Sequence, residues 1–318
     1  MPGPGAALET WVGGYRRPGP GLAYPSLLRP EAGTRDQARP WQVVIGLVAG
    51  FVAYEALLVA LPRWLIGAAW LVAGRPGTWA GYLADAAGYL HPSGMVAFNL
   101  TIGLLIPLSV LLVATVHRTG PGWLASVAGR VRWGYLVACL GLAAVVLNAM
   151  QVVAWWAAGP LPHLAPQPGF AGWLAVILAT VWVQAAGEEA FFRGYLVQAL
   201  GSLAASPWVG VVASAVLFAF MHGSQDLPLF LNRLAFGLVA GLLVWRTGGL
   251  EAGIAGHVVN NVFAYVWAGL TTGIAATRGV SELDWAASVI GVGGYALYAV
   301  GAVLLSRLMR QEIRTVAA

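Results

Sequence analysis

Two adjacent glutamates and an arginine follow directly on a long apolar run. Glu188, Glu189 and Arg193 come after the run 170–186, in a setting where a charged side chain costs about 2.5–3.5 kcal/mol on insertion scales. On a helix, Glu189 and Arg193 are four residues apart and share a face, so they are predicted to pair. Glu188 lies about 100° around the helix and is predicted to be free to act as a general base on water. The alternative is an ordinary ion pair at the water interface.

Histidine and asparagine side chains occur on two later apolar segments. His222 ends the segment 208–222, and His257 and Asn261 share one face of the segment 251–270. Taken alone, each is explained by an interfacial polar residue or by a polar network that holds helices together. Together with glutamates on a third segment, they can supply a base, an orienting histidine and donors for an oxyanion. These are the groups needed to attack a peptide carbonyl with water.

The composition places these side chains in a membrane protein. Of the 318 residues, 59% are hydrophobic and only 9% are charged, whereas soluble domains carry roughly 25% charged residues. The net charge of +5 does not indicate nucleic-acid binding, because the arginines are scattered among apolar segments and form no stripe. The sequence contains no glycine-rich phosphate loop and no nucleotide-binding fingerprint. We therefore expect the lipid bilayer as a partner, and neither nucleic acid nor nucleotide.

The apolar runs predict an all-α, polytopic integral membrane bundle of about eight transmembrane helices, since a span needs about twenty residues. The predicted helices cover residues 42–61, 95–116, 134–158, 170–187, 208–222, 228–245, 251–270 and 286–306. The segment 63–94 is predicted to form an interfacial or re-entrant helix pair, because its apolar run 64–73 is too short to span. Residues 41–318 are thus predicted to form one membrane domain.

The ends and loops of the chain predict its orientation. Residues 1–40 are rich in glycine and proline, which predicts a disordered cytoplasmic tail. With both termini in the cytoplasm, the arginines of the inner loops and the C-terminal segment outnumber those outside, as the positive-inside rule requires. The inner set is Arg118, Arg130, Arg132, Arg246, Arg307, Arg310 and Arg314, and the outer set is Arg63, Arg75, Arg233 and Arg278. The expected location is the plasma membrane.

Three motifs on these segments resemble those of the CPBP family. The sequence has EExxxR at 188–193, FxxxH at 218–222 and HxxxN at 257–261, in that order. The CPBP family groups type II CAAX prenyl endopeptidases with bacteriocin-processing and bacteriocin-immunity membrane proteins. The resemblance covers a core of about 170–270, which is a third of the chain.

The resemblance implies an intramembrane, glutamate-dependent endopeptidase. Its substrate would be a membrane-anchored peptide or protein, either CAAX-like or a bacteriocin or leader peptide. Carried over position by position, Glu188 would be the general base that activates water, assisted by His222. His257 and Asn261 would bind and stabilise the oxyanion.

The resemblance also implies a structural ion pair, and it leaves two alternatives for the catalysis, with or without a metal ion. Glu189 and Arg193 would hold the site together as a pair. The family is often labelled a group of metalloproteases, and Glu188, His222 and His257 are of types that ligate zinc. The sequence has no HExxH motif, so the resemblance implies direct glutamate catalysis without a cofactor, with zinc as the alternative.

Two other classes of function compete with the protease. A non-catalytic scaffold or bacteriocin-immunity protein would keep the same polar core for assembly. A proton- or ion-coupled transporter also uses carboxylates and histidines inside the membrane, but transporters normally show repeat symmetry, and this sequence has no sustained internal repeat.

Overall fold

The structure, a computed structural model, describes residues 11–12, 14–29, 40–204 and 206–316, and these residues are mostly helical. Its helices are α1 (Pro40–Val72), α2 (Trp79–Ala87), α3 (Pro92–Gly103), α4 (Leu105–Thr115), α5 (Trp133–Ala158), α6 (Phe170–Glu188), a π-helix (Glu189–Leu196), α7 (Val197–Leu203), α8 (Pro207–Phe220), α9 (Leu227–Thr247), α10 (Glu251–Leu270), α11 (Ala275–Arg278) and α12 (Trp285–Leu308). Strands β1 (Trp11–Val12) and β2 (Tyr15–Arg16) pair antiparallel, and single 3₁₀ turns lie at Tyr24–Ser26 and Pro121–Leu124.

The described part of the chain forms a helical membrane bundle, which confirms the predicted fold class. Six helical stretches within it are long and apolar enough to cross a membrane, namely Pro40–Val72, Pro92–Thr115, Trp133–Ala158, Phe170–Leu203, Leu227–Thr247 and Trp285–Leu308. The other two predicted spans are present as α8 and α10. They are not among the six because α8 has only 14 residues and because the polar side chains of α10 lower its mean hydropathy. Helix α10 carries His257 and Asn261, and His222 lies two residues beyond the end of α8.

The segment after the first predicted span differs from the prediction. Helix α1 has 33 residues and continues through Pro62 to Val72, so the run 64–73 forms no separate interfacial helix. Proline inside a membrane helix is tolerated where neighbouring groups compensate for the lost backbone hydrogen bond, and Pro62 is buried. Only α2 remains as a short helix between the two spans.

The outer surface of the bundle is apolar. Large hydrophobic side chains are exposed along α1, α5, α6 and α12, among them Val48, Val52, Trp64, Val145, Trp156, Leu178, Trp182, Val289, Leu297 and Val300. A soluble protein rarely exposes an apolar surface of this extent. Lipid is therefore the environment that suits this face.

The prediction of a disordered N-terminal tail is wrong for residues 14–29. Tyr24 is completely buried, and its hydroxyl donates a hydrogen bond to Leu124 O at 2.5 Å. Thr315 N also donates to Leu22 O at 3.0 Å, which ties this segment to the C-terminal one. Aromatic and leucine side chains among the glycines and prolines supply enough apolar area for packing. Residues 1–10, 13 and 30–39 of the predicted tail lie outside the described residues.

A buried ion pair fixes the start of α10. Arg132 Nε and Nη2 lie 2.9 and 2.5 Å from the two carboxylate oxygens of Glu251, and the two side chains are almost completely buried. Arg132 Nη1 also donates to Thr247 O at 2.8 Å and to Glu312 O at 3.0 Å. Arg132, which the sequence predicts in a loop, thus joins the start of α5 to α9, α10 and the C-terminal segment.

Helix α6 is held close to α3 by two glycines. A Cβ atom on Gly187 would collide with the backbone at Ile102, and one on Gly103 would collide with Val183. The absence of these side chains lets the two helix backbones approach, as small residues do between membrane helices. Because Gly187 directly precedes Glu188, this contact sets the depth at which the first glutamate enters the bundle.

Candidate active site

The two glutamates lie where α6 changes into the π-helix. Glu188 is the last residue of α6, and the π-helix that starts at Glu189 includes Arg193. Such wide turns occur frequently at functional sites. The carboxylate of Glu188 is almost buried, and Glu189 and Arg193 are completely buried. The sequence pattern alone indicated an ordinary α-helix at this point.

Glu189 and Arg193, which the residue spacing places on one face, lie side by side in the structure. Arg193 Nη1 lies 3.2 Å from Glu189 Oε1. The same carboxylate oxygen accepts a hydrogen bond from His257 Nδ1 at 2.8 Å. Glu189 thus binds one partner on its own helix and one on α10.

His257 connects the two glutamates. Its second ring nitrogen, Nε2, lies 3.3 Å from Glu188 Oε2, while Nδ1 faces Glu189. The imidazole therefore lies between the two carboxylates and links Glu188 to the Glu189–Arg193 pair. The oxyanion role expected for His257 stays a prediction. Residue spacing could not reveal this contact, because His257 enters from another helix.

Two phenylalanines enclose the arginine and the histidine. The guanidinium carbon of Arg193 lies 3.9 Å from the ring centroid of Phe218 and 5.4 Å from that of Phe236. The guanidinium nitrogens make no well-aligned hydrogen bond to any described residue, so the ion pair with Glu189 and the cation–π contacts together compensate for their burial. Phe236 also packs edge-on against His257, with ring centroids 4.9 Å apart. Phe236 was missed by the sequence analysis, since no motif marks it.

His222 stands at the open edge of the site. It is the only one of the six predicted site residues that is exposed. Its Nδ1 lies 2.7 Å from Phe218 O, and because a carbonyl oxygen only accepts, Nδ1 carries the proton and Nε2 keeps a lone pair. His222 interacts electrostatically with Glu188, but among the described ion pairs the only histidine within contact distance of Glu188 is His257.

Asn261 joins the site through a side chain on α6. Its Nδ2 donates to Gln184 Oε1 at 3.0 Å, and Gln184 is one turn before Glu188 on the same face. Asn260 Nδ2 in turn donates to Asn261 Oδ1 at 3.0 Å. The structure therefore brings all six predicted residues to one region, with four of them in direct mutual contact and Asn261 and His222 at its edges.

The donor groups do not assemble into a three-ligand metal site. Within the described residues, no group of three or more His, Cys, Asp and Glu side chains is placed to hold a metal ion. Of the set named for zinc, only Glu188 and His257 lie together, and His222 stays outside their contact. This donor set does not fit a zinc ion, which takes at least three protein ligands in most sites.

A comparison with protein families bears on this same stretch of chain. Residues 170–263 match the family described as type II CAAX prenyl endopeptidase Rce1-like. The matched segment covers 94 of the 318 residues, which is less than a third of the chain. It begins with α6, ends within α10 and includes all six predicted site residues, so the resemblance found in the motifs is confirmed here. CAAX-type intramembrane protease activity is a property of that family.

One curated relative matches over a similar length. The uncharacterized protein YyaK of Bacillus subtilis (strain 168) is 32% identical over 96 residues, which cover 28% of this chain and 32% of YyaK. The match thus spans about a third of the relative. No solved structure matches the chain.

Proposed function

We propose that this protein is an intramembrane endopeptidase in which Glu188 activates water to cleave a peptide bond of a membrane-associated substrate. The observation that carries the proposal is the position of His257 between two buried carboxylates, one paired with Arg193 and one without an arginine. A stable helix bundle does not need this arrangement, since buried charges cost more than apolar packing of the same volume.

The first step is the attack of water. A water molecule between Glu188 and His222 gives one proton to the Glu188 carboxylate, and its oxygen forms a bond to the carbonyl carbon of the substrate. His222 assists because its Nδ1 proton is held by Phe218 O, which leaves Nε2 to accept a hydrogen bond from the same water.

The second step is the collapse of the tetrahedral intermediate. Its oxyanion is stabilised by the Asn261 amide, whose Nδ2 is held on the side of α6 by Gln184. The carbon–nitrogen bond then breaks, and the leaving amine takes the proton from Glu188. One water has been added across the peptide bond, and Glu188 returns to its carboxylate form. Donors aimed at developing charge in a site that excludes water contribute strongly to such steps.

The remaining groups hold Glu188 in position. Glu189 accepts from His257 Nδ1 and contacts Arg193, so the ring plane of His257 is fixed by a carboxylate, as in other carboxylate–histidine arrangements. Nε2 of His257 is thereby presented to Glu188 and can share the proton that Glu188 takes from water. His257 thus acts with the base in this proposal, and Asn261 is the principal oxyanion donor.

The proposed substrate reaches the site from within the membrane. Glu188 is the nineteenth residue of α6, and the helical stretch continues from there to Leu203. Glu188 therefore lies about 27 Å from Phe170 and about 20 Å from Leu203 along the helix, near the middle of the stretch. A lipidated or membrane-tethered peptide can reach this depth from the bilayer. The family description favours a CAAX-type substrate.

The test compares two glutamate variants on membrane-anchored peptide libraries in lipid nanodiscs. Glu188→Ala is expected to abolish cleavage while the protein still folds. Glu55→Ala is the matched control, because Glu55 is an exposed carboxylate of α1, and it is expected to cleave normally. Cleavage that survives in Glu188→Ala would contradict the proposal. A wild-type protein that cleaves nothing, with a cellular phenotype unchanged in Glu188→Ala, would favour the non-catalytic scaffold.

Chelators provide a second arm of the same experiment. Since the donor set does not fit zinc, cleavage is expected to continue after treatment with 1,10-phenanthroline and EDTA. Loss of cleavage that added zinc restores would show that a metal takes part.

A further inference from the structure

Four side chains from three helices form one continuous chain of hydrogen bonds. Tyr295 Oη donates to Asn260 Oδ1 at 3.2 Å, Asn260 Nδ2 donates to Asn261 Oδ1 at 3.0 Å, and Asn261 Nδ2 donates to Gln184 Oε1 at 3.0 Å. The chain begins on α12, passes along α10 and ends on α6, one turn before Glu188. None of the three motifs includes Gln184, Asn260 or Tyr295.

The bonds of this chain all run in the same direction. Each amide oxygen accepts from the residue before it, and each amide nitrogen donates to the residue after it. A phenol at the start is the natural donor, and the Gln184 oxygen at the end can only accept. Hydrogen bonds that are linked in this way strengthen one another. Asn261 therefore cannot rotate its amide by half a turn unless the whole chain reverses.

The direction of the chain decides what Asn261 offers to a substrate. Its oxygen is occupied by Asn260 on the side away from α6, and its NH₂ group faces Gln184 on the side of Glu188. An NH₂ group has two hydrogens, and Gln184 uses one of them. The other remains available to a substrate. A flipped Asn261 would present an oxygen there, which repels an oxyanion.

We propose that Gln184, together with Asn260 and Tyr295, positions the Asn261 amide so that an N–H group and not the carbonyl oxygen faces the reacting carbonyl of the substrate. The proposal rests on the endopeptidase function proposed above and adds three positioning residues to it. Gln184 is almost buried, and it connects the oxyanion donor to the helix that carries the base. The distance between base and donor is thereby fixed by side chains.

The experiment is a kinetic double-mutant cycle with Gln184→Met, Asn261→Ala and the double variant, assayed on a peptide that the wild type cleaves. Removing one orienting hydrogen bond is expected to lower kcat about three- to tenfold, with KM unchanged. Removing the oxyanion donor in Asn261→Ala is expected to lower kcat about a hundredfold. Because Gln184 acts only through Asn261, the double variant is expected to be no slower than Asn261→Ala.

Two further variants keep the cycle interpretable. Tyr295→Phe removes the first donor of the chain with little change in shape, so it is expected to lower kcat in the same direction and to have no effect in the Asn261→Ala background. Gln198→Met is the matched control, since Gln198 is a buried glutamine on α7 that donates to Trp123 O at 3.0 Å, far from Asn261. It is expected to affect thermal stability and to leave kcat and KM as in the wild type.

The outcomes separate the two proposals. Effects of Gln184→Met and Asn261→Ala that multiply in the double variant, or a Gln184→Met variant that changes KM alone, would overturn the positioning role while Glu188-dependent cleavage remains. Cleavage that survives Glu188→Ala, or no cleavage by the wild type, would overturn the endopeptidase function and the positioning role with it.

Discussion

Replacing Gly253 by alanine is expected to slow catalysis without unfolding the protein. Gly253 lies on α10, one turn before His257, and its missing side chain makes room for Glu189. A Cβ atom at this position would lie 2.8 Å from Glu189 Oε2. Glu189 cannot easily move away, because Arg193 and His257 both hold its other carboxylate oxygen.

The size of the effect follows from this distance. Ordinary contacts of a Cβ atom begin at 3.4 Å, so the carboxylate and the new methyl group have to separate by about 0.6 Å. A misplacement of about 1 Å in a catalytic group can cost about a hundredfold in rate, and we therefore expect kcat to fall about tenfold. Alanine is favoured over glycine inside a helix by about 0.5–1 kcal/mol, which offsets part of the steric cost of about 1–3 kcal/mol.

The assay measures kcat on a membrane-anchored peptide in nanodiscs and thermal unfolding in detergent. Gly141→Ala is the matched control, since Gly141 lies inside helix α5, is exposed, and has no atom within 4 Å of the position of a new Cβ. It is expected to keep the wild-type rate and to be as stable or slightly more stable. Our account of the site would be refuted if Gly253→Ala kept the wild-type rate, or if Gly141→Ala slowed cleavage equally.

Two further predictions concern the side chains of Arg132 and His117. Arg132→Met is expected to lower the free energy of unfolding by about 3–5 kcal/mol, because it leaves the buried Glu251 carboxylate without its partner. Thermal unfolding measures this loss. An equal loss after the joint replacement of Arg132→Met and Glu251→Leu would contradict the explanation. Burial, with the charge of Arg16, lowers the pKa of His117 to about 4. As the pH falls, the unfolded chain therefore binds the proton at about 6.5, whereas the folded protein binds it only at about 4. The stability should decrease as the pH falls between these two values. His117→Gln should flatten this part of the pH profile. An unchanged acid slope in that variant would count against the burial of His117.

Much of the fold could be predicted from the sequence, because apolar runs and helix length are local properties of the chain. Two helices that carry motif residues start and end within a few residues of the predicted bounds, as α6 and α10 show. The continuation of α1 through Pro62 could not be predicted, since the outcome depends on what packs around the proline. The same holds for residues 14–29, whose order comes from contacts with distant parts of the chain.

The candidate site likewise has features that the sequence predicts and features that only the structure shows. Spacing alone placed Glu189 and Arg193 on one face, since neighbours four apart on a helix always meet. It could not show that α6 continues as a π-helix, nor that His257 lies between the two carboxylates. It also could not identify Phe236, which is brought to the site by α9 and follows no motif.

By itself, the sequence determined that the protein belongs in a membrane, which residues carry charge there, and which of them pair along one helix. Only the tertiary structure decided which side chains meet across helices: His257 with both glutamates, and Tyr295 with Asn261 through Asn260. The physical reason is that the position of a side chain on its own helix follows from the residue number, whereas a contact between helices depends on their depth, rotation and closest approach. Those are set by the packing of the whole bundle, including the glycines that let α6 lie against α3.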